Sequence, residues 1–351
     1  MSLRPGKLPA ETLARLLGNL KHSDPRVALG PAIGRDAAVI DTGGDTLLVA
    51  TMDPVTFATE HIGWYAVNVN ANDIACMGAR PAWFLATALL PAGCADELPN
   101  RIFDELVAAC DRLGIELVGG HTEVTAGIQR PIIVGAMLGE AQRDEIVAGE
   151  NIQPGDCVLM TKKIAIEGTA LLARDSAEML RERGVSQETI DSAAALLFEP
   201  GISIVDDARA ICAATKPRLM HDATEGGIAT ALHEMASAAG AVLRIDAGAI
   251  RVYDETREIC EALELDPRGL LASGSLVAIV AESDGATVAG ALAQMKIECH
   301  VIGRVESGPA RVILGGEDSS APLLAFDRDE LARFYDASGG GNPTIGRLEG
   351  P

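Results

Sequence analysis

The segment Asn68-Val-Asn-Ala-Asn-Asp-Ile-Ala-Cys-Met-Gly-Ala-Arg-Pro81 decides the fold, because it sets three amides and a carboxylate into an otherwise small, apolar run. At about 3.6 residues per turn, Asn68 and Asn72 stack one above the other, with Asp73 beside them and Tyr65 one turn earlier. Ala71, Ala75, Met77 and Ala79 supply packing around that face, and Gly78 followed by Pro81 closes the helix. Two readings stand: a hydrogen-bonded Asn/Asp cluster inside a buried helix, or the wall of a working site. The flanking chain bears on the choice.

Upstream, Ala37–Asp41 and Thr46–Thr51 are apolar runs separated by Thr-Gly-Gly-Asp, the pattern of a hairpin. Asp36 precedes the first run and Asp53 follows the second, so antiparallel pairing would bring both to one end of the sheet. Asp53-Pro54 also reads as a simple turn. Pro9 to Leu20 has helical spacing of leucines, and before it stands Gly6-Lys7, whose lysine reads equally as a solvated terminal residue. Downstream, Ala82–Pro91 is a third strand, a helix runs from near Asp96 to Leu113, and Ile115–Val118 leads into the glycine turn Gly119-Gly120-His121-Thr122. Pro131–Leu138 makes a further strand. Strands and helices thus alternate, with polar insertions at strand ends, where ligand sites of mixed α/β folds gather.

A charged stretch, Gln142–Asp156, ends in Asn-Ile-Gln-Pro-Gly-Asp and marks a boundary. The expected organisation is a lobe over residues 1–142, a second over 152–307 and an extension over 308–351. The second lobe opens with strand Cys157–Thr161 and continues through helices near Glu167–Arg183, Gln187–Phe198 and Ile202–Ala213. Met220-His-Asp-Ala-Thr-Glu-Gly-Gly227 then runs into a helix, and further strands and helices alternate to Ile302. The Gly-, Ser- and Pro-rich end from about Ala337 reads as disordered.

At 351 residues the chain exceeds one typical core, and 48% hydrophobic residues with a mean hydropathy of +0.19 fit a globular protein. A formal charge of −21 argues against nucleic acid as a partner. The cysteines at 76, 94, 110, 157, 212, 260 and 299 are odd in number and contain no CxxC, a reduced rather than a disulfide pattern. Met1–Ala10 has no apolar core, and no run reaches about 18 apolar residues. The expectation is a cytoplasmic protein without a membrane segment.

Asp36, Asp53, Asp73 and His121 form the candidate chemical constellation. Hard divalent cations such as Mg²⁺ take oxygen ligands, commonly a few carboxylates plus substrate phosphates, and carboxylates arriving from separate elements suit that. Histidines and cysteines lack zinc-ligand spacing. The turns Gly119-Gly120-His121-Thr122 and Thr224-Glu225-Gly226-Gly227 offer backbone N–H groups, the second at a helix start that attracts anions; each also reads as a plain tight turn. Walker A, dinucleotide-binding and nucleophile-elbow patterns are absent.

Together, Gly34-Arg-Asp-Ala-Ala-Val39, Thr51-Met-Asp53, Asn72-Asp-Ile-Ala-Cys-Met-Gly-Ala79, Gly119-Gly-His-Thr122 and Asp222-Ala-Thr-Glu-Gly-Gly227 resemble the aminoimidazole ribonucleotide synthetase (PurM-like) superfamily, over roughly residues 6–304. The second lobe is most similar to the hydrogenase maturation branch, HypE. The resemblance implies a two-lobed α/β (α+β) fold. Its N-terminal mixed α/β lobe would pair with a second copy into a dimeric β-barrel, and a C-terminal α/β lobe would flank it. It implies ATP and Mg²⁺ in the cleft between lobes. Asp36, Asp53 and Asp73 would be the metal ligands; Asn72, Gly119, Gly120, Thr122, Asp222, Gly226 and Gly227 would join Asp36 and Asp53 around the nucleotide. Asp73, His121 and Lys7 would be the catalytic residues, with Lys7 folding over the nucleotide.

Three departures qualify the implied chemistry. His121 stands where the maturation and thiamine-monophosphate kinase branches carry Asp, which removes a carboxylate and leaves an imidazole for acid/base work or phosphate contact. No cysteine follows Cys299, so the maturation branch's reaction on a C-terminal cysteine is not expected to run in the same way. The nucleophile expected before Lys7 in selenophosphate synthetase is missing. The resulting expectation is an ATP-dependent phosphotransferase or dehydratase that activates an oxygen of an unknown acceptor. The alternatives are a small-metabolite kinase or synthetase of the thiamine-phosphate or selenophosphate type, and a non-catalytic nucleotide-binding partner of a maturation protein.

Overall fold

The computed structural model of the chain describes residues 7–8, 10–20, 24–315, 321–323 and 325–337. The end expected to be disordered, beyond Ala337, lies outside the described residues. A short helix, α1 (Ala10–Leu17), precedes a first sheet built from β1 (Val27–Leu29), β2 (Ala38–Asp41), β3 (Thr46–Val55), β4 (Arg80–Pro91), β5 (Glu116–Thr125) and β6 (Ile132–Gln142). Its strand order is β1-β2-β3-β6-β4-β5, antiparallel throughout except for the parallel pair β4 and β5. The hairpin expected from the two apolar runs forms, with Ala38 opposite Ala50 and Asp41 opposite Leu47.

The segment that decides the fold is α2 (Ile62–Cys76), a 15-residue helix of which 13 residues are buried. A helix buried on all sides needs cover all round, and α2 has it. It lies on β3, β6 and β4, packs against α3 (Glu97–Leu113), and meets elements of the second half of the chain. Glycines on the sheet permit this close approach: a Cβ on Gly135 would stand 2.4 Å from Asn70 Nδ2, and one on Gly139 would stand 2.4 Å from Ile74 Cγ2.

Cross-strand registers define two faces of the first sheet. Asp53, Gly135, Ala86 and Gly120 form one row, on the side of α2. The neighbouring row, Pro54, Val134, Thr87 and His121, belongs to the opposite face, which also carries Met52, Leu138, Leu85 and Trp83. Met52 on that face is 64% exposed.

The expected turn at Gly119–Thr122 is instead the middle of β5. Leu117-Val118 and Val124-Thr125 on either side favour an extended chain. Gly120 (φ 151) runs where a Cβ would be 1.9 Å from Ala86 O, so the glycine serves close strand approach rather than chain reversal.

The second sheet contains β7 (Cys157–Thr161), β8 (Leu219–Asp222), β9 (Val242–Ile245), β10 (Leu276–Val280), β11 (Cys299–Glu306), β12 (Arg311–Leu314) and β13 (Ala321–Pro322), in the order β13-β12-β9-β11-β7-β10-β8. Around it run α4 (Ile166–Asp175), α5 (Ala177–Glu182), α6 (Gln187–Ala195), α7 (Val205–Ala214), α8 (Gly227–Ala239), α9 (Asp254–Leu263), α10 (Gly285–Gln294) and α11 (Glu330–Ala337). β7 and β10 are fully buried strands, as their unbroken apolar runs imply. α2 also touches β8 and α7, so the opening segment is wedged between the two sheets.

Candidate active site

Carboxylates from both halves of the chain converge beside α2. Asp36 comes from the loop before β2, Asp73 from α2 and Asp222 from the end of β8. One ligand atom each from Asp36, Cys76 and Asp222 lie within 4.8 Å of one another. Gly34 (φ 73) seats the Asp36 loop against α8, where a Cβ would stand 2.9 Å from Glu234 O. Thr51 Oγ1 donates to Asp73 Oδ2 at 2.7 Å and lies 3.0 Å from Asp36 O, linking β3 to both acids.

His221 is the cation inside this group. Its Nδ1 is 2.7 Å from Asp36 Oδ1 and its Nε2 is 2.8 Å from Glu234 Oε2. Burial disfavours the imidazolium, but the Asp36 and Glu234 carboxylates outweigh it and hold His221 well above its ordinary range. Burial also raises Asp73 well above the carboxylate range; Asp222, Asp53 and Asp36 add repulsion, and the Thr51 hydroxyl offsets part of it. Asp222 is pushed up to about 7, chiefly by burial and then by Asp36. The Cys76 thiol rises for the same reasons.

This arrangement fits a divalent cation on its own evidence. Asp222 Oδ2 is buried without a hydrogen-bond partner among the described residues, and the mutual repulsion of the carboxylates is what a cation would remove. The donors are mostly oxygen, the set that hard cations take. Asp36, Asp73 and Asp222 are brought together, and Asp53 is close enough to act electrostatically on Asp73 and Asp222.

Next to the cluster opens a cavity of about 380 Å³. Its lining includes Lys7, Asp53, Thr224, Glu225, Glu167 and Ser273, with Val69 and Leu171 among the apolar side chains. Lys7 crosses to the second half of the chain: its backbone N–H donates to Glu225 Oε2 at 2.8 Å, and its Nζ is 3.4 Å from Thr224 Oγ1. Partial desolvation lowers the Lys7 ammonium, yet Glu234, Glu225, Asp222 and Asp36 together leave it above its ordinary value.

Several other expected site residues have polar groups bonded within the fold. Asn72 donates from Nδ2 to Ile202 O at 2.9 Å and accepts at Oδ1 from the Ile204 N–H at 2.9 Å, so its amide ties α2 to the chain before α7. Asn68 bonds back to Trp64 O at 2.8 Å. The Gly226 N–H donates to Asp329 Oδ2 at 2.6 Å and the Gly227 N–H to Thr224 O at 3.0 Å, which satisfies donors expected to face an anion. Gly119, Gly120, His121 and Thr122 sit on exposed β5, three strands across the sheet from Asp53. His121 lies on the face opposite α2 and pairs with Glu123 Oε2 at 3.1 Å.

The sequence reading passed over four contributors. Asn70, inside the opening segment, accepts at Oδ1 from the Asp53 N–H at 2.9 Å and so fixes that strand end. His221 and Glu234 complete the ion-pair chain. Glu167, in the first turn of α4, is buried in the cavity wall and pushed up to about 7 by burial. The 13-residue spacing of His221 and Glu234 matches no ligand motif, but a polar His-Asp pair ending an apolar strand was a usable signal.

Two family models match the chain, AIR synthase related protein, N-terminal domain, over residues 34–141, and AIR synthase related protein, C-terminal domain, over residues 153–315. Carbamoyl dehydratase HypE of Rhizobium leguminosarum bv. viciae is 31% identical over 265 residues, covering 74% of this chain and 73% of that protein. The crystal structure of Escherichia coli HypE is similar with a TM-score of 0.72 at 23% identity, covering 92% of this chain and 99% of that one. A hydrogenase maturation protein HypE in complex with ATP gives a TM-score of 0.65 at 22% identity, covering 91% and 96%. No helix among the described residues is long and apolar enough to cross a membrane. With the matched segments spanning most of both sheets, the chain belongs to the AIR synthase related, PurM-like family.

Proposed function

We propose that this protein is an ATP- and Mg²⁺-dependent phosphotransferase or dehydratase, related in chemistry to HypE, which activates an oxygen of its acceptor by phosphorylation. The observation that carries the reading is the convergence of Asp36, Asp73 and Asp222 beside a cavity walled by Asp53 and Lys7. The HypE complex with ATP supports the nucleotide. Asp36, Asp53, Asp73 and Asp222 would hold Mg²⁺, which when bound neutralises phosphate charge and polarises the transferred group. Lys7 lies where an ammonium can meet phosphate oxygens. Thr51 and Asn70 hold Asp73 and the Asp53 backbone in place, so the carboxylates are set before ligand arrives.

The roles of Asn72, Gly226 and Gly227 in this reading are positional, since their polar groups are already bonded within the fold. His121 would reach a site only across a pairing of two subunits. A homodimer is part of the proposal, supported by the apolar face of the first sheet. A protein partner from hydrogenase maturation is the expected further component.

A second reading, kinase action on a small metabolite, is favoured by the size of the cavity, which suits a small molecule. Isothermal titration with Mg-ATP tests the common core: binding by wild type and a loss of tenfold or more in Asp73→Ala are expected. Absence of binding by wild type would sink both readings. ADP release on adding candidate metabolites, without a protein partner, would select the second.

A further inference from the structure

The proposed phosphoryl chemistry leaves two buried polar residues of the wall of the cavity beside the carboxylate cluster unused. They are Glu167 and Ser273, 5% and 1% exposed: Glu167 Oε2 and Ser273 Oγ have no partner at hydrogen-bond distance among the described residues, although the Ser273 hydroxyl is near enough to favour the Glu167 carboxylate. Both are held rigidly. The Gly168 N–H donates to Leu271 O at 2.8 Å, and a Cβ on Gly168 would stand 2.5 Å from Leu270 Cγ, so α4 lies directly on the segment that carries Ser273. Ser275, two residues on, is anchored by Oγ donating to Lys163 O at 2.8 Å. Val69, Leu171 and Leu271 make the wall around the pair apolar.

Buried polar atoms with unmet hydrogen-bonding capacity are costly, and this neighbouring pair in a cavity wall can take a ligand group. The charges acting on Glu167 indicate its sign. Beyond the Ser273 hydroxyl, Asp329, Asp222 and Glu225 all act on it with negative charge, and Lys7, engaged at Thr224, is the one basic side chain among the described residues that line the cavity. Among the described residues lining the cavity, the acids Asp53, Glu167 and Glu225 outnumber the bases. The raised Glu167 carboxyl, at about 7, accords with a carboxylate lacking its cation.

We infer that the Glu167–Ser273 part of the cavity wall is a subsite for the positively charged nitrogen head of a small acceptor, an ammonium or amidinium group, held by the Glu167 carboxylate with the Ser273 hydroxyl. This rests on the reading of the cavity as the acceptor's site. The apolar wall takes the carbon body of such a molecule, leaving its far end toward Asp53 and Lys7, where phosphorylation is proposed. An acceptor with a nitrogen cation at one end and an oxygen at the other, an amino alcohol or an amino acid amide for example, is the class that fits.

The test compares n-butylammonium with 1-butanol, which share a carbon body and differ in charge, by calorimetric titration of the full chain at pH 8. The ammonium is expected to bind at least tenfold more tightly than the alcohol to wild type. Glu167→Gln is expected to abolish that difference, and Ser273→Ala to reduce it. Equal affinity for the two probes in wild type would overturn the inference in favour of a neutral subsite. An undiminished preference in both variants would place the ammonium elsewhere in the acidic cleft and also overturn it. Loss of Mg-ATP binding in Glu167→Gln would assign Glu167 to the nucleotide, a third refutation. Should Glu167→Gln fail to fold, the wild-type comparison and Ser273→Ala decide. Failure of wild type to bind Mg-ATP sinks the proposed function but leaves the probe comparison readable.

Discussion

Asp36 and His221 meet at 2.7 Å, a carboxylate ahead of the first sheet's hairpin against an imidazole on β8, the edge strand of the second. Because Glu234 Oε2 holds the other ring nitrogen at 2.8 Å, the imidazolium is shared by two acids and couples the two halves of the chain where the proposed cation would sit. Removing it leaves buried like charges facing one another. His221→Ala is therefore expected to lower the unfolding free energy by about 3–5 kcal/mol, the range for breaking a buried pair. Urea unfolding checks this, and a loss below about 1 kcal/mol would mean that solvent already stabilises the two carboxylates.

Asn72 offers a sharper separation of structure from ligand binding. Its amide bonds the Ile202 carbonyl and the Ile204 N–H, both in the chain entering α7. Asn72→Ala strands both groups in a buried setting, at a cost of about 2–4 kcal/mol in urea unfolding. If the amide is only a clamp, the Mg-ATP affinity of the folded variant stays within about threefold of wild type, under roughly 0.7 kcal/mol. A loss of a hundredfold at unchanged stability would return Asn72 to the nucleotide.

Glu167 gives a pH signature with a definite sign. Its carboxyl is raised from 4.5 to about 7 in the folded protein, mainly by burial. Between those values the folded state holds a proton that the unfolded state releases, so this group's contribution falls as pH rises through the window and is level above it. The full shift corresponds to at most about 3 kcal/mol. Glu167→Gln removes that slope, so the variant should gain stability relative to wild type from pH 5 to pH 7 and hold the gain at pH 8. A difference curve that is flat with pH, measured by urea unfolding, would show that Glu167 is solvated.

The extent to which the sequence foretold this site follows from the range of the interactions involved. α2, the β2–β3 hairpin and the placing of Asp36 ahead of it depend on periodicity and turn chemistry within a few residues, and these read correctly; Asp53-Pro54, expected after a strand ending at Thr51, lies inside β3, which runs on to Val55. Asp73 stood out because a carboxylate inside a buried apolar run needs a reason. The His221 to Asp36 pair joins residues 185 positions apart, and no local pattern names such a partner. Glu167 looked like an ordinary acidic residue in a helix's first turn, where the dipole favours it; only the Leu270–Ser273 segment packed over α4 buries it. The glycine pair at Gly119 read as a turn because glycine marks both chain reversal and close strand approach, and the neighbouring strand decides which.

The remaining face of the first sheet supports the last prediction. Ala50, Leu138 and Trp83 form one row and Met52, Ala136 and Leu85 the next, all on the side away from α2. A contiguous apolar sheet face of this kind wants a cover, and a second copy of the same face satisfies it with two-fold symmetry. Sedimentation at micromolar concentration should therefore report a dimer. Leu138→Lys sets a cation within the apolar patch, where covering it by a second copy would bury a charge, and should yield a folded monomer. Because His121 lies on this face, in the row with Thr87 and Val134, a catalytic part for it requires the dimer. The monomeric variant should then lose turnover while keeping the buried Asp36, Asp73 and Asp222 cluster and its Mg²⁺-induced rise in thermal midpoint. A monomeric wild type that turns over ATP at the same rate as Leu138→Lys would remove both the pairing and the role of His121.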